Sequence, residues 1–203
     1  MRVVLADYGA GNLRSVASAL ARAGAEPLVS ADPTDVCDAP LVVIAGVGNS
    51  ASAGAGLAPL ADALRERAAA ERPLLGICVG LQLLFERSDE GAGRVERSTG
   101  LGLLRGDVRR LRARTVPHMG WNRLVATRPS ALLEGLDGED LYFAHSYAAE
   151  PHDDVATALV EHDGALVAAV ESGCVAGVQF HPERSGAAGA RFLANALAWS
   201  RSA

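Results

Sequence analysis

Leu74-Leu75-Gly76-Ile77-Cys78-Val79-Gly80 is the stretch on which the fold turns. Leu74 to Ile77 reads as a short strand buried on both faces, and a helix starts at about Val79. Upstream, the same alternation repeats. Val3-Val4-Leu5-Ala6 reads as a first strand and Asp7-Tyr8-Gly9-Ala10-Gly11 as a turn. Residues 12–23 then read as a helix with Leu13, Val16, Ala17 and Leu20 on one face and Gly24 at its C-terminal end. Leu28-Val29 is a weak second strand, Leu41-Val42-Val43-Ile44 a strong third, and residues 57–70 a helix. This order specifies an α/β fold, an open, mostly parallel sheet with helices on both faces.

The second half changes character. From about Leu103 helical periodicity fades, and residues 141–144, 155–160, 166–170 and 175–180 read as strands. They predict a small antiparallel extension and a return to the main sheet, closed by a last helix over 187–199. The alanine- and glycine-rich stretch 51–58 reads as a loop. No linker, repeat or low-complexity tract divides the sequence, so residues 1–203 read as one domain.

Bulk properties narrow the function. A net charge of −5 offers no broad basic surface for nucleic acid, and the cluster Arg109, Arg110, Arg112 and Arg114 reads as a solvated face. No apolar run is long enough to span a bilayer, and the first residues lack the features of a signal peptide. Three irregularly spaced cysteines suggest neither a disulfide framework nor a zinc site, so a cytoplasmic location is expected. All 19 basic residues are arginine, so these residues supply no lysine for a Schiff base or a Walker-type phosphate loop. No cofactor or metal is expected.

Gly76-Ile77-Cys78-Val79-Gly80 has the pattern of a nucleophile elbow with Cys in the place of Ser. The central residue of such a turn is forced into a strained conformation, and glycines two residues away remove Cβ atoms that would clash. A helix N-terminus behind it favours a thiolate. The competing reading is a buried structural cysteine. His181-Pro182-Glu183 supplies partners. It follows an apolar strand, where open α/β sheets place their sites. In extended chain, residues i and i+2 point the same way, so Glu183 can orient the imidazole while its other nitrogen meets the Cys78 sulfur. A thioester mechanism also needs amides aimed at an oxyanion. Val79 N–H is one candidate, and Gly46-Val47-Gly48, after the third strand, offers the second through Val47 or Gly48.

At this point the sequence resembles the class I (triad-type) glutamine amidotransferases, of flavodoxin-like architecture. Gly76-Ile77-Cys78-Val79-Gly80-Leu81-Gln82 and Gln179-Phe180-His181-Pro182-Glu183 carry the resemblance. Within that family it resembles the glutaminase subunits of imidazole glycerol phosphate synthase. The segments are Asp7-Tyr8-Gly9-Ala10-Gly11-Asn12-Leu13, Gly46-Val47-Gly48, Pro117-His118-Met119-Gly120-Trp121-Asn122 and Tyr142-Phe143-Ala144-His145-Ser146-Tyr147. The resemblance implies that L-glutamine is attacked at its side-chain amide, that Gln82 helps to bind it, and that backbone at Ser146 and Tyr147 meets its amino-acid end. It also implies a (β/α)8-barrel cyclase partner that receives the ammonia, with Asn12, Trp121, Asn122 and Tyr142 at or near that interface. Core packing is the alternative for the two aromatic residues. Two positions depart from the family pattern. Ala45 stands where Pro is usual, and Arg184 stands where a Lys at the ammonia route is usual; a guanidinium is not equivalent to an ammonium.

Three other readings stay open on sequence. One is a glutaminase serving another biosynthetic pathway, the second a γ-glutamyl hydrolase of the same architecture, and the third an inert glutamine-binding scaffold.

Overall fold

A computed structural model describes residues 1–9, 11–90 and 98–202. Ala10, in the expected turn, lies outside the described residues. The first half alternates as the apolar runs dictate: β1 (Arg2–Ala6), α1 (Leu13–Arg22), β2 (Glu26–Ser30), α2 (Pro33–Asp38), β3 (Leu41–Gly46), α3 (Ser50–Leu57), α4 (Ala61–Ala69), β4 (Leu74–Cys78) and α5 (Val79–Leu83). The second half is mostly strand. It runs through β5 (Phe85–Ser88), β6 (Ser98–Thr99), β7 (Leu104–Arg110), β8 (His118–Arg123), β9 (Val125–Ala126), β10 (Asp140–His145) and β11 (Tyr147–Pro151). Then come β12 (Ala156–Glu161), β13 (Ala165–Ser172), β14 (Val175–Val178) and the closing helix α6 (Gly186–Trp199).

The main sheet has the order β2-β1-β3-β4-β14-β13-β12-β9. It is parallel from β2 through β14 and antiparallel from there outward. Every residue of β3 and β4 is buried, as a central parallel strand covered on both faces requires. The weak second strand forms at the sheet edge, where Leu28 and Val29 are partly exposed. Two smaller sheets stand beside this layer. One has the order β11-β7-β5-β6, and the other pairs β10 with β8 antiparallel. No helix among the described residues is long and apolar enough to cross a membrane.

Two expectations are corrected. Residues 51–58, read as a loop, lie almost wholly in α3. Asn49 Oδ1 accepts the Ser52 N–H at 3.2 Å, as an N-cap does, and alanine favours the helix. Glycine, which argued for a loop, instead allows close packing: a Cβ on Gly56 would stand 2.3 Å from the Tyr8 carbonyl oxygen. The helix expected over 57–70 starts later, because Pro59 opens a 3-10 turn, Ala58–Leu60, ahead of α4. The short helix α2, capped by Asp32 accepting from Thr34 N–H at 2.8 Å, was not expected from the sequence.

Arg67 on α4 ties these layers together. It is 1% exposed. Its guanidinium donates to the carbonyls of Pro73 at 2.8 and 3.0 Å, Val36 at 2.9 Å and Cys37 at 3.2 Å. Burial, helped by the nearby Arg72, lowers its pKa to about 10. Arg67→Met keeps the volume and strands those carbonyls, so a loss of about 2–4 kcal/mol in unfolding free energy is expected from urea titration. An unchanged midpoint would contradict the strut.

Candidate active site

β4 delivers Cys78 to the C-terminal edge of the sheet, where it takes φ +54° and ψ −108°. That positive φ on a non-glycine residue is the strain expected of a nucleophile elbow. The flanking glycines are required by space. A Cβ on Gly76 would lie 2.6 Å from the Gly80 backbone, and one on Gly80 would lie 1.8 Å from the Ile44 oxygen. Cys78 is 2% exposed.

β14, the parallel neighbour of β4, carries the partners to the same edge. His181 Nδ1 meets Glu183 Oε1 at 2.9 Å, and the same oxygen accepts from Asn12 Nδ2 at 3.2 Å. The Cys78 sulfur also acts on the imidazole and favours its protonated form. Burial opposes the imidazolium, but the sulfur and the Glu183 carboxylate outweigh it and push the His181 pKa up to about 10. The reverse holds for Glu183. Burial raises it, and His181 with Asn12 brings it below the usual carboxylate range. His181 is fixed from behind as well: its N–H donates to the Tyr142 carbonyl at 2.8 Å, and Ser185 Oγ donates to its carbonyl at 2.6 Å.

A cavity of about 320 Å³ opens over Cys78, lined among others by Val47, Val79, Gln82, Ser146, Tyr147 and His181. Gly48 and Arg184 also reach it. Gly46 pairs with Cys78 across β3 and β4, so Val47 and Gly48 follow directly beside the nucleophile, and Gly48 has φ +98°. The backbone leading into this segment is anchored at Ala45. Tyr8 OH donates to the Ala45 carbonyl at 2.8 Å, and burial together with nearby Cys78 raises the phenol pKa. Gln82 Nε2 donates to the Tyr147 carbonyl at 3.0 Å and to Gln179 Oε1 at 3.1 Å, and Gln179 Nε2 approaches Cys78 Sγ at 3.5 Å.

The four residues expected at a partner surface occupy different places. Trp121 is 58% exposed, beside Met119 at 64%, on one face of β8. Tyr142 lies opposite Trp121 in the β8–β10 register, with ring centroids 6.0 Å apart, and reaches back to within 6.4 Å of the His181 ring. The Arg184 guanidinium stands 5.8 Å from the Tyr142 ring centroid. Asn122 is on the other face of β8 from Trp121, and Asn12 sits against Glu183.

Glu90 is absent from the sequence expectations, and Gln179, His118 and His145 stand there within motifs but without a role. Glu90 lines the cavity, and its Oε2 accepts the Ser50 N–H at 2.6 Å. It places a carboxylate where an amino-acid ammonium would find a counter-ion. Only the i, i+2 spacing of Gln179 and His181 offered a signal; the others depend on long-range register. Within the arginine cluster, Arg109 pairs with Asp107 at 2.5 Å and Arg114 with Asp163 at 2.7 Å, while Arg110 and Arg112 are solvated. Cys174 Sγ lies 3.6 Å from the Ala68 carbonyl, and burial raises its pKa.

A model of the class-I glutamine amidotransferases matches residues 4–198. The chain belongs to that family. This amidotransferase is 46% identical over 201 residues to the imidazole glycerol phosphate synthase subunit HisH of Natronomonas pharaonis, covering 95% of this chain and 92% of that protein. It is 44% identical to the subunit of the same name from Methanothermobacter thermautotrophicus, at 95% and 96% coverage. A crystal structure of a glutamine amidotransferase superposes with a TM-score of 0.75 at 22% identity, over 96% of this chain and 98% of the other. The structure of PurLQS from Thermotoga maritima gives a TM-score of 0.74 at 22% identity over 98% of both. At those identities the two structures bear on the fold alone, and they share the amidotransferase's mostly parallel sheet.

His118 and His145, deep beside this site, also bear on stability. Burial first, then neighbouring His162, lowers His118 to about 4. Burial lowers His145 to about 3, against the Tyr147 hydrogen bond and with His118, His162 and His181 adding repulsion. Both folded values lie below 6.5, so the unfolded chain binds more protons in that window. Their contribution is complete above pH 6.5 and is lost as pH falls through about 4 and then 3. His181 has the opposite sign, contributing fully below 6.5 and losing its share as pH rises through about 10. Urea midpoints measured downward from pH 6.5 should fall; a flat profile would contradict two buried neutral imidazoles.

Proposed function

We propose that this chain is the glutaminase subunit of an imidazole glycerol phosphate synthase, hydrolysing L-glutamine and passing ammonia to a (β/α)8-barrel cyclase in histidine biosynthesis. The observation that carries this reading is one cavity lined by a strained cysteine, a histidine hydrogen-bonded to a carboxylate, Gln82 and Glu90. Family membership and relatives named as synthase subunits over nearly their whole length support it. The whole of residues 1–203 acts as one glutaminase domain in this reading, working in the cytoplasm with its three cysteines unpaired.

Glutamine enters with its ammonium toward Glu90 and its amino-acid end along Ser146 and Tyr147, while Gln82 helps to hold it. Cys78 Sγ attacks the side-chain amide carbon as His181 holds the thiol proton, and Glu183 keeps the imidazole aligned. The oxyanion is met by Val79 N–H and by an amide of the Val47-Gly48 segment. Collapse of the tetrahedral intermediate expels ammonia, which takes its proton from His181. Water, deprotonated by His181, then hydrolyses the thioester to glutamate and free Cys78. Exposed Met119 and Trp121, with Tyr142 behind them, form the docking face. Asn12, Asn122 and Arg184 act at its edge or along the ammonia route.

Glutamate release measured alone, with the cyclase, and with the cyclase plus its ribonucleotide ligand tests this. Activity is expected to be low alone and to rise with each addition. Glutaminase activity indifferent to the cyclase would contradict the pathway assignment and favour a glutaminase serving another pathway.

A further inference from the structure

Across β8 and β10, His118 lies directly opposite His145. Both side chains are buried, at 4% and 6% exposure. They are links in a hydrogen-bonded chain whose direction is fixed at both ends by carbonyl oxygens, which can only accept. At one end Asn122 Nδ2 donates to the Glu161 carbonyl at 2.8 Å, so the atom on His118 Nε2, 3.1 Å away, is that same amide nitrogen. His118 Nε2 therefore accepts. Its Nδ1–H donates to His145 Nε2 at 2.9 Å, and His145 Nδ1–H donates to the Tyr147 carbonyl at 2.8 Å. Each neutral ring uses one donor and one acceptor. An extra proton on either would set N–H against N–H, in keeping with their low pKa values.

The last acceptor matters because the Tyr147 carbonyl also receives Gln82 Nε2. Both its lone pairs are thereby committed, one to the helix behind Cys78 and one to His145. Ser146 and Tyr147 line the cavity. Those two bonds orient the Tyr147–Ala148 peptide, and the Leu111 N–H on the Ser146 carbonyl at 2.9 Å orients the peptide before it, so Tyr147 is held on both sides.

We propose that His145, held in its tautomer by His118 and Asn122, is a positioning residue that fixes Tyr147 through its carbonyl for binding the amino-acid end of the substrate. The triad uses neither imidazole. The inference rests on the glutaminase reading of the cavity and adds a determinant of glutamine affinity separate from the chemistry at Cys78. Asn122, with one amide hydrogen on Glu161 and the other on His118, is the far anchor of the same chain.

Two polar substitutions separate this role from bulk packing. An asparagine places its amide nitrogen near the position of Nδ1, and a glutamine places its own near Nε2. His145→Asn should keep the bond to Tyr147 and hold KM for glutamine within about threefold of wild type. His145→Gln loses that bond and should raise KM about tenfold or more with kcat little changed. Glutamate release is assayed with and without the cyclase, and melting curves establish that each variant is folded. Should His145→Gln not fold, His118→Leu removes the donor to His145 and carries the same expectation of raised KM and kept kcat. Equal KM in wild type and the folded variant overturns the proposal, as does a fall in kcat with KM unchanged. A wild-type chain that releases no glutamate overturns the glutaminase reading, and this inference with it.

Discussion

Cys78→Ala should abolish glutamate release, lowering kcat by about 10⁴-fold or more, while leaving the fold intact. The size follows from covalent catalysis: without the sulfur no thioester forms, and water alone must attack an unactivated amide. Alanine fits the space, and removing one atom group from the elbow does not touch the glycines on which it depends. The measurement is a glutaminase assay on the purified variant with a melting curve beside it. A folded variant that keeps wild-type turnover would remove Cys78 from the mechanism.

The second large effect is expected at Glu183→Gln. Glu183 Oε1 receives both His181 Nδ1 and Asn12 Nδ2, so a glutamine can keep its oxygen toward both donors and preserve the geometry. What it loses is the negative charge that stabilises the imidazolium. A fall in kcat of about 10²–10⁴-fold is expected. With it the His181 pKa should drop from its raised value of about 10. Imidazole NMR titration of wild type and variant reads the second effect directly. Unaltered titration would mean that the sulfur alone sustains the raised value.

The two halves of the chain were not equally legible. β1, β3 and β4 announce themselves as apolar runs, and their register places Gly46 beside Cys78 as the strand order implied. The triad was legible for a local reason: Gly-x-Cys-x-Gly states a steric demand within five residues, and His-Pro-Glu brings base and orienting acid within two, although Pro182–Arg184 forms a 3-10 turn and not the extended chain expected. β7 and β8 were not, because Leu104–Arg110 and His118–Arg123 carry charged or polar residues at half their positions and owe their pairing to β11 and β10. The same dependence on distant pairing concealed Glu90 and the His118–His145 chain. Residues 51–58 were misread because glycine signals a loop locally, whereas in α3 it serves contact with the Tyr8 backbone. Asn12 shows the limit of resemblance: expected near a partner surface, its amide also holds the triad carboxylate.

The central claim is that Cys78 is the nucleophile of a glutamine-binding cavity. It is tested most directly by treating the protein with a diazoketone analogue of glutamine and mapping the modified residue by peptide mass spectrometry, with and without excess glutamine. One adduct on the peptide containing Cys78, suppressed by glutamine and absent from Cys78→Ala, is the predicted result. Modification elsewhere, or labelling of Cys78 that glutamine does not slow, would contradict it.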